Sequence, residues 1–304
     1  MILFIIINVN LSGQSLKKGI NYKLKYNSLQ HSLSNNDLIN IKSYGFDFIH
    51  ILIEPERSIE SERKLIDYYS SIINSKKDVL DSLNLKIVLS FHKYPLIKND
   101  FNQTSEKFWN NKKMIQDSHN AILVFLKKID ISKEILFGIE YISEPLIRDG
   151  YNNIHRVQNL SEIQLKLYNK VREINKNINF LITPGPGGHV NGYKNYKPLK
   201  GDKIIYNFHF FSPKKYVQSN GEYNYPGYID FRYWNKKALI KQMKPVIDFR
   251  DKFNTSVLLG SFSASFHAKN RDIYLRHINE ICDSLNIPHS FHVYNGHKMW
   301  RLSE

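Results

Sequence analysis

The chain has 304 residues, 42% hydrophobic and 13% aromatic, enough for one barrel-sized core and far from the apolar-poor composition of disordered chains. A formal charge of +15 raises polyanions as partners. The lysines, however, are scattered in pairs along helical patterns (Lys76-Lys77, Lys112-Lys113, Lys127-Lys128, Lys214-Lys215, Lys236-Lys237), as on solvated helix faces, so no nucleic-acid partner is expected. The single cysteine, Cys282, sits in an apolar helical run, which excludes a disulfide framework and a cysteine-based zinc site.

Residues 1–15, MILFIIINVNLSGQS, have an apolar stretch followed by small and polar residues, like the tail of a secretory signal. The stretch lacks a basic leading region and is too short to span a bilayer, so it is read as a clipped signal peptide and the protein as secreted or periplasmic. The remaining residues, 16–304, alternate short apolar runs with longer helix-periodic ones, without a repeat or a linker. Strands are predicted at Lys18–Tyr22, Phe46–Ile53, Lys86–His92, Ile135–Ile142, Ile178–Thr183, Ile204–Phe211, Ser256–Phe262 and His289–Tyr294. Helices are predicted at 35–44, 59–82, 106–129, 159–176, 234–252 and 269–285. Eight near-continuous apolar strands in a βα series predict a single-domain α/β fold, the (β/α)8 TIM barrel. The ten residues after strand eight leave no room for a full final helix.

In such a barrel the chemistry lies at the C-terminal strand ends. Strand two, FDFIHILIEPE, delivers His50, Glu54 and Glu56. Strand three, IVLSFHKYP, delivers His92, and strand four, FGIEYISEP, delivers Ser143 and Glu144, with Glu140 deeper on the same strand as a buried structural group. Strand six, NFHFFSP, delivers His209 and Phe211, and strand seven, VLLGSFSAS, delivers Ser261. PGPGGH at 184–189 lacks the Lys-Ser/Thr ending of a phosphate loop and reads as a βα turn. The His and Glu positions lack the spacing of metal ligands, so no metal and no cofactor are expected.

Five of these segments, in this order, resemble glycoside hydrolase family 5, the cellulase and mannanase family among retaining glycosidases. GFDFIHILIEPE is similar to the family's strand two, LNLKIVLSFHKYP to its His-bearing strand three, GIEYISEP to its Asn-Glu-Pro strand, IIYNFHFFSP to its His-x-Tyr strand and VLLGSFSAS to its Gly-Glu-Phe-Gly strand. The resemblance implies Glu144 as the acid/base. It implies a carboxylate nucleophile at position 261, roughly 5–5.5 Å away as double displacement requires. That position holds Ser261. A serine nucleophile needs a base oriented onto it, and the nearby His267 falls beyond the strand end.

Other positions depart from the family pattern: His50 stands for its Arg, Ser143 for its Asn, Phe211 for its Tyr, and Phe291 or His292 for its sugar-stacking Trp. The resemblance places His50, His92, Ser143, His209, Phe211 and Phe291 on the substrate. Trp109, Tyr223, Tyr225, Trp234, Phe262, Phe266, Tyr294 and Trp300 are candidate cleft aromatics, with the Tyr- and Gly-rich YVQSNGEYNYPGY as a sugar-facing loop. The expected function is that of a monomeric protein engaging a β-linked glucan or mannan, with hydrolysis impaired or lost. The alternatives are a glycan-binding pseudoenzyme, an enzyme in which Glu54 serves as surrogate carboxylate, and a basic module for anionic polysaccharide.

Overall fold

The computed structural model describes residues 16–29, 32–54, 61–92, 105–148 and 153–302. The proposed signal segment 1–15 and Glu56 lie outside them. Eight parallel strands close into a barrel: β1 Lys18–Lys25, β2 Phe48–Glu54, β3 Lys86–Phe91, β4 Leu136–Glu140, β5 Asn179–Ile182, β6 Ile204–Phe210, β7 Ser256–Phe262 and β8 His289–Phe291. Pairing runs in chain order, and β8 closes on β1 through Lys18 opposite His289 and Ile20 opposite Phe291. The predicted barrel is the observed one.

Six longer helices cover it: α1 Asn35–Ser43, α2 Glu62–Asn74, α3 Lys112–Lys128, α4 Leu160–Ile174, α5 Lys236–Phe253 and α6 Arg271–Ser284. Their starts follow local capping chemistry. Ser34 accepts from the Asp37 amide while Asp37 accepts from the Ser34 amide, a reciprocal box that fixes the entry of α1. Ser61, Asn111 and Asn235 cap α2, α3 and α5 one-way, each side chain accepting from the backbone amide three residues on. Two predicted helices are each divided. The 59–82 pattern breaks between Asn74 and Lys77, and the 106–129 pattern breaks after Trp109, where Asn111 turns its side chain onto the Met114 amide and starts a new helix.

Inside the barrel the inward side chains form layers. The lowest is apolar, with Phe48, Val88, Leu181 and Leu258 packed on Leu16. The middle layer is polar and buried: Asn21, His50, Ser90, Glu140, Thr183, Asn207 and Ser290. Above it the mouth carries Lys23, Glu54, His92, Glu144, His209 and His292.

Candidate active site

Glu140 and Glu144 both come from β4 and its extension, four residues apart. Glu140, fully buried, accepts from Ser90 Oγ at 2.5 Å, from Asn207 Nδ2 at 2.7 Å and from Thr183 Oγ1, with His50 Nε2 at 3.4 Å. Burial alone would raise its pKa, but these donors outweigh it, His50 foremost, and the carboxyl is held at about 2. It is a structural anion.

His50, expected on the substrate, lies beneath the mouth instead. Its ring is wholly buried, with Nδ1 3.3 Å from the Gly260 carbonyl and Nε2 on Glu140. On β2 the inward positions are His50, Leu52 and Glu54, so His50 sits two steps below the mouth. Gly260 is required beside it, because a Cβ there would meet Asn207 Oδ1 at 2.0 Å.

The mouth is organised around Glu144, a third exposed. Its segment is pinned from both sides: the Ser143 amide donates to the Phe91 carbonyl at 3.1 Å, the Gly187 amide to the Pro145 carbonyl at 3.1 Å, and Trp109 Nε1 to the Leu146 carbonyl at 3.1 Å. His209, whose amide is fixed on the Gly188 carbonyl at 2.8 Å, brings Nδ1 to 3.7 Å from Glu144 Oε1. That is too long for a hydrogen bond and is an electrostatic contact. Burial would raise the Glu144 pKa, but the imidazoles of His209, foremost, and His92 outweigh it and hold the carboxyl well below the usual carboxylate range.

Across the mouth, Ser261 faces inward, opposite His209 in the β6–β7 register. Its Oγ accepts from Asn21 Nδ2 at 3.1 Å, and the same amide lies 3.3 Å from His292 Nδ1 while Asn21 Oδ1 accepts from Ser290 at 2.5 Å. Burial, with Lys23 nearby, pushes His292 down to about 3, so this corner is neutral. Glu54 is the other carboxylate at the mouth. It pairs with Lys23 at 3.1 Å and Lys25 at 3.3 Å, and lies 3.8 Å from His92 Nε2; His92 Nδ1 in turn is 3.2 Å from Ser143 Oγ. Burial would raise Glu54, but Lys23, His92 and Lys25 bring it to about 2.

Phe291, expected on the substrate, lies on the outer face of β8 instead. Along β8, Ser290 and His292 point inward, so Phe291 points outward, packing on Phe262 and beneath the Arg271 guanidinium. His292 takes the mouth position. Phe211 meets it edge-on at 5.8 Å and meets Trp300 at 5.8 Å, forming an aromatic wall. Of the other candidate aromatics, Trp109, Tyr225, Trp234 and Phe262 are buried in packing, with Tyr225 bonded to His277, while Tyr223, Phe266 and Tyr294 are half-buried. Asn21 and Lys23 were not singled out in the sequence. The inward alternation Gly19, Asn21, Lys23 on β1 was the signal available.

A family model described as Cellulase (glycosyl hydrolase family 5) matches residues 17–298. The chain belongs to glycosyl hydrolase family 5. Among curated relatives of this family 5 chain, Endoglucanase C of Acetivibrio thermocellus is 23% identical over 265 residues, covering 76% of this chain and 74% of the relative. Among solved structures, the cellulose synthase subunit Z of Clostridioides difficile aligns with a TM-score of 0.71 at 17% identity over 95% of this chain and 94% of that one. A Thermotoga maritima Cel5A structure in complex with cellobiose aligns with 0.71 at 16% identity, covering 95% and 92%. Among the described residues no group of His, Cys, Asp and Glu could hold a metal ion, and no helix is long and apolar enough to cross a membrane.

Proposed function

We propose that this family 5 barrel is exported, that it engages β-linked glucan at its mouth through Glu144, His92, Ser143, His209 and the Phe211–Trp300 wall, and that its double-displacement chemistry is impaired at Ser261. The observation that carries this reading is the neutral Asn21–Ser261–His292 corner facing the Glu144 cluster. A retaining mechanism needs a carboxylate at the anomeric carbon and a protonated acid at the leaving oxygen. Ser261 supplies no charge. A neighbouring anion would normally help to keep the acid protonated, and here the groups acting on Glu144 are imidazoles that favour its ionised form. Both halves of the chemistry are weakened together. The names of the relatives, an endoglucanase and a cellobiose complex, support glucan as the ligand class.

A second reading is favoured by one observation: Glu54, ionised, is linked through His92 to the neighbour of Glu144. In it Glu54 activates water for an inverting displacement, which needs a carboxyl separation of roughly 6.5–9.5 Å.

Hydrolysis of an aryl β-cellobioside separates the two. The expected result is negligible turnover by the unaltered protein and a rise of at least about 10³-fold in Ser261→Glu that Glu144→Gln abolishes. Turnover by the unaltered protein that is lost in both Glu144→Gln and Glu54→Gln would replace the impaired reading with the inverting one.

A further inference from the structure

The loop after β6 carries a two-stranded ribbon, Gly227–Ile229 with Arg232–Trp234, which projects beside α5. Its inward residues, Ile229 and Trp234, are buried, while Tyr228 and Tyr233 pair across the outer face and stand 74% and 48% exposed. The two-residue turn is Asp230-Phe231, with φ of 50° and 60°. Such turns favour Asn-Gly, because left-handed backbone crowds a Cβ. Phe231 nevertheless occupies one of these positions and is 104% exposed, packing on nothing. A bulky apolar side chain held in a disfavoured conformation at an apex contributes nothing to this fold and reads as a contact for something outside it.

The surroundings say what that partner is. Arg232 of the ribbon also lines a shallow groove along α5, where Lys237, Lys241 and Lys244 follow at helical spacing with the exposed Ile240 between them. Asp248, the one acid lining that groove, pairs with Lys244 at 2.5 Å, leaving Arg232, Lys237 and Lys241 as its open cations. The Tyr228 and Tyr233 rings cross at 67° and so form no continuous platform along a glycan chain, and Phe231 has no hydroxyl to hydrogen-bond one. An apolar apex, tyrosines set behind it and a basic flank match, layer by layer, the acyl boundary, headgroup zone and negative charge of an anionic bilayer surface. We propose that the 227–234 ribbon and the basic face of α5 dock this protein on anionic lipid membranes, with Phe231 as the inserting residue.

The test is co-sedimentation of the full chain with vesicles of phosphatidylcholine containing about 30% phosphatidylglycerol, beside vesicles of phosphatidylcholine alone. The expected result is partition onto the anionic vesicles only, weakened roughly tenfold in Phe231→Ser and likewise in Lys237→Glu/Lys241→Glu, each with an unchanged melting curve. Phe231→Trp should add a blue-shifted emission on anionic vesicles. Undiminished pelleting of Phe231→Ser would reduce the effect to diffuse attraction by net charge and overturn the proposal. So would loss of cellulose retention or of a dimer in Phe231→Ser without any vesicle binding, which would assign the ribbon to glycan or to a second copy. None of these readouts depends on turnover at the mouth.

Discussion

The middle layer of the barrel and its mouth each hold a glutamate from the same strand, and the two behave as different chemical objects. Glu140 is wholly buried among Ser90, Thr183, Asn207 and His50, every oxygen occupied. Glu144 is a third exposed, with one imidazole contact at 3.7 Å. Ionised carboxylates can therefore be structural or available, and the number of donors around them, not the residue type, decides which. At Glu144 the open oxygens leave room for a hydroxyl donor.

The sharpest way to break this contrast is to neutralise each glutamate. Glu140→Gln presents an amide to the donors of His50 and Asn207, and should cost about 3–5 kcal/mol, enough to lower Tm by roughly 10 °C. Glu144→Gln, at a carboxyl a third exposed with one contact at 3.7 Å, should cost less, about 1–2 kcal/mol. Chemical denaturation compares them, and equal losses would mean that the mouth carboxylate is also structural. Next in size is Gly260→Ala, whose methyl would collide with the Asn207 side chain. A loss of about 1–3 kcal/mol is expected, read from the same curves, whereas an unchanged midpoint would show that the polar layer can yield.

Glu54 sharpens the comparison through pH. Its folded pKa of about 2 lies below its ordinary value, so the stability it contributes is present above about pH 4.5 and is lost as pH falls toward 2. Glu54→Gln should flatten part of that acid limb and leave the melting temperature near pH 7 lowered by only a few degrees. An acid limb identical to that of the unaltered protein would assign it to Glu140 and Glu144, whose carboxyls are depressed in the same direction.

Much of this architecture was legible in the sequence because a parallel strand covered on both faces is a near-continuous apolar run, and VLLGSF at 257–262 or FIHILI at 48–53 leaves few other readings. The divided helices were not legible. Apolar periodicity continues across Ser75-Lys76 and Asn110-Asn111, and only the caps reveal the breaks. Site residues were legible as strand-end positions but not as depths. His50 fits a strand-end motif yet lies a layer lower, and Phe291 and His292 differ by one step in a period of two, which the motif alone does not fix. Asn21, which ties Ser261 to Ser290 and His292, comes from the opposite end of the chain, and its role arises only when β8 closes on β1.

The donors to Glu140 also bear on how the chain folds. They come from β2, β3, the end of β5 and β6, so a partly assembled barrel ending at β4 would hold a charge with only His50 and Ser90 beside it. The polar layer thereby penalises half-barrels and makes ring closure cooperative, with the central anion satisfied only once strands from both halves have arrived.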